Sequence, residues 1–238
     1  MTETPSAAAP SEDQLVAFQD PGYRAAVVDL LGAITYGEIA AFERLAEDAK
    51  LSPTLTDKIA LATMASTQFG HVQPLIDHLN ALGSDAVTAM EPFQHAFDAF
   101  HAKTAPSDWL EGLIKAYVGD GLAADFYREI AAFVDAGTRQ LIFDSLAHAG
   151  HANFVVDRVR KAIEEDHRVA GRLALWGRRL MGEALSQAQR VAAERDSLAA
   201  LLAGGVDRPG LDLLALGRMF NRLTENHSAR MAELGLAS

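Results

Sequence analysis

Gln68 and His71 stand three residues apart in STQFGH, and His148 and His151 repeat that spacing in HAGH. On a helix, residues three apart share a face, so each pair offers its polar groups in one direction. Glu38 and Asp120 add carboxylates from two further apolar segments. Imidazole nitrogens and carboxylate oxygens together suit iron, zinc or manganese. The same residues can also close a metal-free network, in which the carboxylates pair with imidazolium groups and the charges nearly cancel.

Four long helices have to bring these groups to one depth. The first is expected from about residue 23 to 49, its apolar stripe Leu31, Ile34, Ala41 and Leu45 interrupted by Glu38. A second is expected to start near Thr56 as its cap, after Pro53, and to run unbroken to about Leu82. A shorter helix over about 90–103 bridges to a third long one, which Ser107 and Asp108 start and which ends near Val134. The fourth is expected over about 138–165, with two more over about 169–203 and 211–234. Each residue adds about 1.5 Å along a helix. Glu38 and Gln68 are about equally far from the turn at Pro53, and Asp120 and His148 from the turn near Asp135. Asp125 is the rival carboxylate on the third helix, farther from that balance and off the Asp120 face.

Periodicity near 3.6 and sparse β-branched runs make the chain all-α. Its 238 residues, 49% hydrophobic, suffice for one domain over 21–238 behind a polar, acidic tail at 1–20. The chain has no cysteine, which excludes disulfides and thiolate sites, and with no signal-like start this points to the cytoplasm. Charged or polar residues interrupt every apolar run, so no membrane span is expected.

A net charge of -11 opposes general binding to DNA or RNA. Arg158, Arg160, Lys161, Arg168, Arg172, Arg178 and Arg179 form the one basic stretch, with Glu164, Glu165 and Glu183 nearby to pair with it. Trp176 within it reads as core. The glycines of LIKAYVGDGLAADFY lack the strand and the Lys-Ser/Thr of a phosphate loop, and read as close helix packing beside Asp120. His78, His95, His101, His167 and His227 have no carboxylate at helical spacing, and read as surface or packing residues.

The segments YGEIAAFERLAEDA, the QFGH helix, TAPSDWLEGLIKAYVGDGLAADFYREIA, AHAGHANF and LALWGRRLMGEALSQAQRVAAERD resemble the actinobacterial ferritin-like proteins grouped with the tRNA isopentenyladenosine hydroxylases. The resemblance covers nearly the whole chain after the tail. It implies a ferritin-like four-helix bundle with additional C-terminal helices, in which two helices each give a carboxylate and two each give Glu-x-x-His. By that resemblance Glu38, His71, Asp120 and His151 are ligand positions, while Gln68 and His148 stand where the motif carboxylates would be. An oxygen-dependent hydroxylase follows from it, acting on a modified tRNA adenosine and using one or two iron ions. The altered site equally fits a non-catalytic bundle that serves as a binding or scaffold protein. Expected partners are a substrate, tRNA by the resemblance, and a second copy in a homodimer.

Overall fold

Asp20 accepts a hydrogen bond from the Gly22 N–H at 2.8 Å, and Pro21 supplies the first helical residue of α1, Pro21–Asp48. The computed structural model describes residues 19–146, 151–204 and 212–238, so most of the expected tail lies outside it. Among these, helices carry the whole architecture: α2 Leu55–Gly70, α3 Val72–Ala81, α4 Ala86–Lys103, α5 Trp109–Ile114, α6 Asp120–Ala131, α7 Ala136–Ser145, α8 His151–Glu165, α9 Val169–Glu194, α10 Asp196–Ala203 and α11 Leu213–Glu233. A π-helical turn, Lys115–Gly119, joins α5 to α6.

Helix α1 is the central member, packing against α2, α3, α4 and α10. Its length and a mean hydropathy of 1.5 over its most apolar window are enough to cross a membrane, which corrects the expectation that no segment would qualify. The physical reason is its place in the core, where Val27, Leu31 and Ile34 are fully enclosed. Gly32 sets its distance from α4: a Cβ there would lie 2.1 Å from the Ala89 carbonyl oxygen. Because that obstacle is backbone, Gly32→Ala is expected to force the helices apart and to destabilise the fold by about 3 kcal/mol in chemical denaturation.

Four expected helices are interrupted, three of them beside a polar residue; the other, expected over about 138–165, ends at Ser145, with a separate helix from His151. Thr54, rather than Thr56, caps α2, accepting from the Asp57 N–H at 3.1 Å. The helix expected to reach Leu82 stops at Gly70, because Pro74 has no N–H to give the Gly70 carbonyl and its ring crowds that carbonyl. His71 occupies the resulting turn, its N–H donating to the Gln68 carbonyl at 3.1 Å. The helix expected over 169–203 breaks at Arg195, where non-helical backbone lets Arg195 and Ser197 both donate to the buried Asp29 carboxylate. The third is the π-helical turn within the segment that Asp108 opens.

Two apolar clusters divide the interior. One gathers the N-terminal half of α1 with α3, α4 and parts of α6 and α7; the other gathers the C-terminal end of α1 with α2, α5, α8, α9 and α11. Glu38 lies on α1 between Ile34 of the first cluster and Leu45 of the second. Asp120 lies likewise between Val118 and Ala124.

Candidate metal centre

Glu38 is 3% exposed, and its Oε2 has two neighbours from the second expected helix. The Gln68 side-chain amide donates to it at 2.5 Å, and His71 Nδ1 lies 3.2 Å away. The break after Gly70 therefore preserves the shared face: Gln68 lies in the last turn of α2, His71 occupies the turn that follows, and both reach one carboxylate oxygen. An acid buried at this depth requires such partners, since an isolated carboxylate in an apolar interior would take up a proton.

Glu38, Gln68 and Asp120 line one cleft of about 90 Å³. Burial and the Glu38 charge raise the Asp120 carboxyl to about 8, with Lys115 opposing the rise. Burial and the same Glu38 charge push the Tyr127 phenol above its usual range. Asp125 does not line the cleft; it pairs with Arg230 at 2.7 Å and with Arg128 at 3.3 Å. Of the two candidate carboxylates on the third helix, Asp120 is the one facing Glu38's cleft.

His148 lies outside the described residues, as does the side chain of His151, which opens α8. Among the described residues, no three carboxylate or imidazole side chains are gathered closely enough to form a ligand set. The donor chemistry still fits one cation. Burial and the Glu38 charge hold the Asp120 carboxyl up, and a divalent ion would relieve both the repulsion and the lost hydration. It does not fit an ion pair bridged in the ferritin-like manner, because a neutral amide occupies Glu38's inner oxygen where a second bridging carboxylate would be needed.

The cleft also holds residues whose role the sequence did not disclose. His101 lines it, its Nδ1 buried without a hydrogen-bond partner and its pKa lowered to about 3 by burial, Lys115 and Arg44. A lone histidine without a carboxylate at helical spacing gave no signal of this place at the cleft wall. Lys115 starts the π-helical turn, donates from Nζ to the Thr104 carbonyl at 2.8 Å, and is lowered to about 7, mainly by burial and then by Arg44. Of the two glycines beside Asp120, Gly121 fits the expected close helix packing and Gly119 does not. Gly119 faces open space, and Gly121 makes room for the Arg230 side chain, whose Cδ lies 2.7 Å from where a Cβ would stand.

The fold and the cleft together define a helical bundle with a carboxylate-lined interior site. The chain belongs to the ferritin-like domain family of actinomycetes, whose model matches residues 21–205. Its fold is also similar to that of protein 19 with aldehyde deformylating oxidase activity from Synechococcus, at a TM-score of 0.69 over 92% of this chain and 94% of that chain, with 18% identity. Comparison with curated proteins returns no match.

Proposed function

We propose that this protein is a ferritin-like, oxygenase-type metal protein that holds a single iron ion between Glu38 and Asp120, with His71 and His151 as the nitrogen ligands. The observation that carries this reading is the pair of carboxylates sharing one cleft, where burial and the Glu38 charge raise Asp120 to about 8. Iron bound there would supply the capacity to react with dioxygen. The chain's own residues do the rest. Gln68 fixes the Glu38 carboxylate by its amide, the two apolar clusters on either side exclude water, and Lys115 places a titrating ammonium at the wall of the cleft.

Hydroxylation of a prenylated tRNA adenosine is the finer form implied by the family resemblance. The basic stretch gives it little support, since its cations are already engaged within the chain. Arg158 pairs with Asp57, Lys161 with Glu165, Arg168 with Asp166, and Arg172 with Asp108 and Glu111. Arg160, Arg178 and Arg179 donate to backbone carbonyls. Trp176 is buried, its indole N–H donating to the Glu111 carbonyl at 3.0 Å, so no base can stack on it. A small-molecule substrate fits this surface better.

A second reading, a metal-free binding bundle, rests on the hydrogen bonds that Gln68 and His71 already make to Glu38. Anaerobic reconstitution with ferrous iron separates the two. The metal-centre reading expects about one iron per chain, a raised melting temperature and a spectral change on admitting air. Protein that retains no iron, and whose melting temperature ferrous iron leaves unmoved, belongs to the second reading.

A further inference from the structure

Beyond the polar cleft lies a second cavity, of about 190 Å³, walled by α1, α4, α6, α9 and α10. The two share Phe97, Phe100, Gly119, Ala123 and Tyr127, so the second opens directly behind the carboxylates. Its lining is almost entirely hydrocarbon, with Gln187 and the phenol-bearing Tyr127 as its polar side chains. Gln187, 7% exposed, lines the cavity, and its Oε1 is buried with no hydrogen-bond partner.

A buried carbonyl left unsatisfied is costly, about 1–3 kcal/mol. An apolar cavity of about 150 Å³ already admits benzene, so this one has room for a chain of about eight carbons. We infer that the cavity binds a medium-chain aliphatic alcohol, its hydroxyl on Gln187 and its hydrocarbon against the aromatic boundary with the carboxylate cleft. A hydroxyl can donate to the buried amide oxygen, which an ether cannot. As a substrate, such an alcohol depends on the metal-centre reading above; as a ligand, it does not.

The test uses the full chain freed of metal, titrated calorimetrically with 1-octanol and with heptyl methyl ether, which has the same number of heavy atoms but no donor. Octanol is expected to bind once per chain and about tenfold more tightly than the ether. Gln187→Leu should bring the two ligands to near parity. Ala188→Phe, which fills the cavity from α9, should abolish binding of both while the helical signal and the cooperative melt persist. Absence of octanol binding to the unaltered chain, an alcohol preference that survives Gln187→Leu, or binding that survives Ala188→Phe would each overturn the inference. Should Ala188→Phe not fold, the Gln187→Leu comparison decides alone. Because no metal is present, these results stand apart from the iron reconstitution, and either reading can fail without the other.

Discussion

Asp120→Asn is expected to make the metal-free protein more stable in alkali and to remove its affinity for iron. The carboxyl is raised to about 8 in the folded chain, chiefly by burial and then by Glu38, from an ordinary value of 3.8. A carboxyl raised in this way binds more protons folded than unfolded. Its cost to stability is therefore absent below about pH 3.8, grows as pH rises, and is complete above about pH 8. The amide is neutral throughout, so the gain should be largest near pH 9 and should shrink toward pH 5. Because one side of the carboxyl meets the cleft, the gain is about 2 kcal/mol, or roughly 4–8 °C in melting temperature. With ferrous iron present the order reverses, since the unaltered chain gains from binding and the variant does not. Thermal melts at the two pH values, with and without iron, check both halves. A variant less stable at pH 9 without metal would mean that the Asp120 carboxylate already has a favourable partner.

Lys115→Met should show the opposite pH dependence. Its ammonium is lowered to about 7 from 10.5 by burial and by Arg44. A lowered lysine binds fewer protons folded than unfolded, so its cost is complete below pH 7 and fades as pH rises toward 10.5. Methionine fits the same apolar path past Phe100 and carries no charge. It gives up the hydrogen bond to the Thr104 carbonyl, which is worth about 1 kcal/mol. The net gain is expected to be on the order of 2 kcal/mol at pH 6, falling to nothing or reversing near pH 10. Melting curves across that range measure it; a variant that is less stable at pH 6 would show that the lysine is held for its charge.

The polar residues inside apolar stripes were legible because helical spacing is a strong constraint. Glu38, Gln68 and His71 interrupt a face that should be hydrocarbon, and they meet at one carboxylate oxygen. Asp120, read by its distance from a turn, faces the same cleft. Less legible were residues that reach the cleft singly. His101, Lys115 and Tyr127 arrive from separate turns of helix, and no local spacing ties any of them to Glu38, more than sixty positions away. The helix breaks were hidden for a different reason. At Arg195 the chain leaves helical geometry to satisfy Asp29, far away on α1, so a tertiary contact overrides local propensity. Pro74 did mark the break at His71, although the helical spacing of Met64, Gln68, His71, Leu75 and His78 argued for continuity.

The π-helical turn at Lys115–Gly119 has a consequence for how this chain is set beside its relatives. Such a turn accommodates one more residue than the α-helix it interrupts, and leaves the flanking helices in place. Removing one residue from it would keep Asp120 and Glu38 where they are while changing which of Lys115, Ala116 and Gly119 meets the cleft. A relative lacking the extra residue would slip by one position against this chain just before Asp120, and a column-by-column comparison would misplace Lys115. Divergence at this wall can thus proceed by a change in chain length, with both carboxylates untouched.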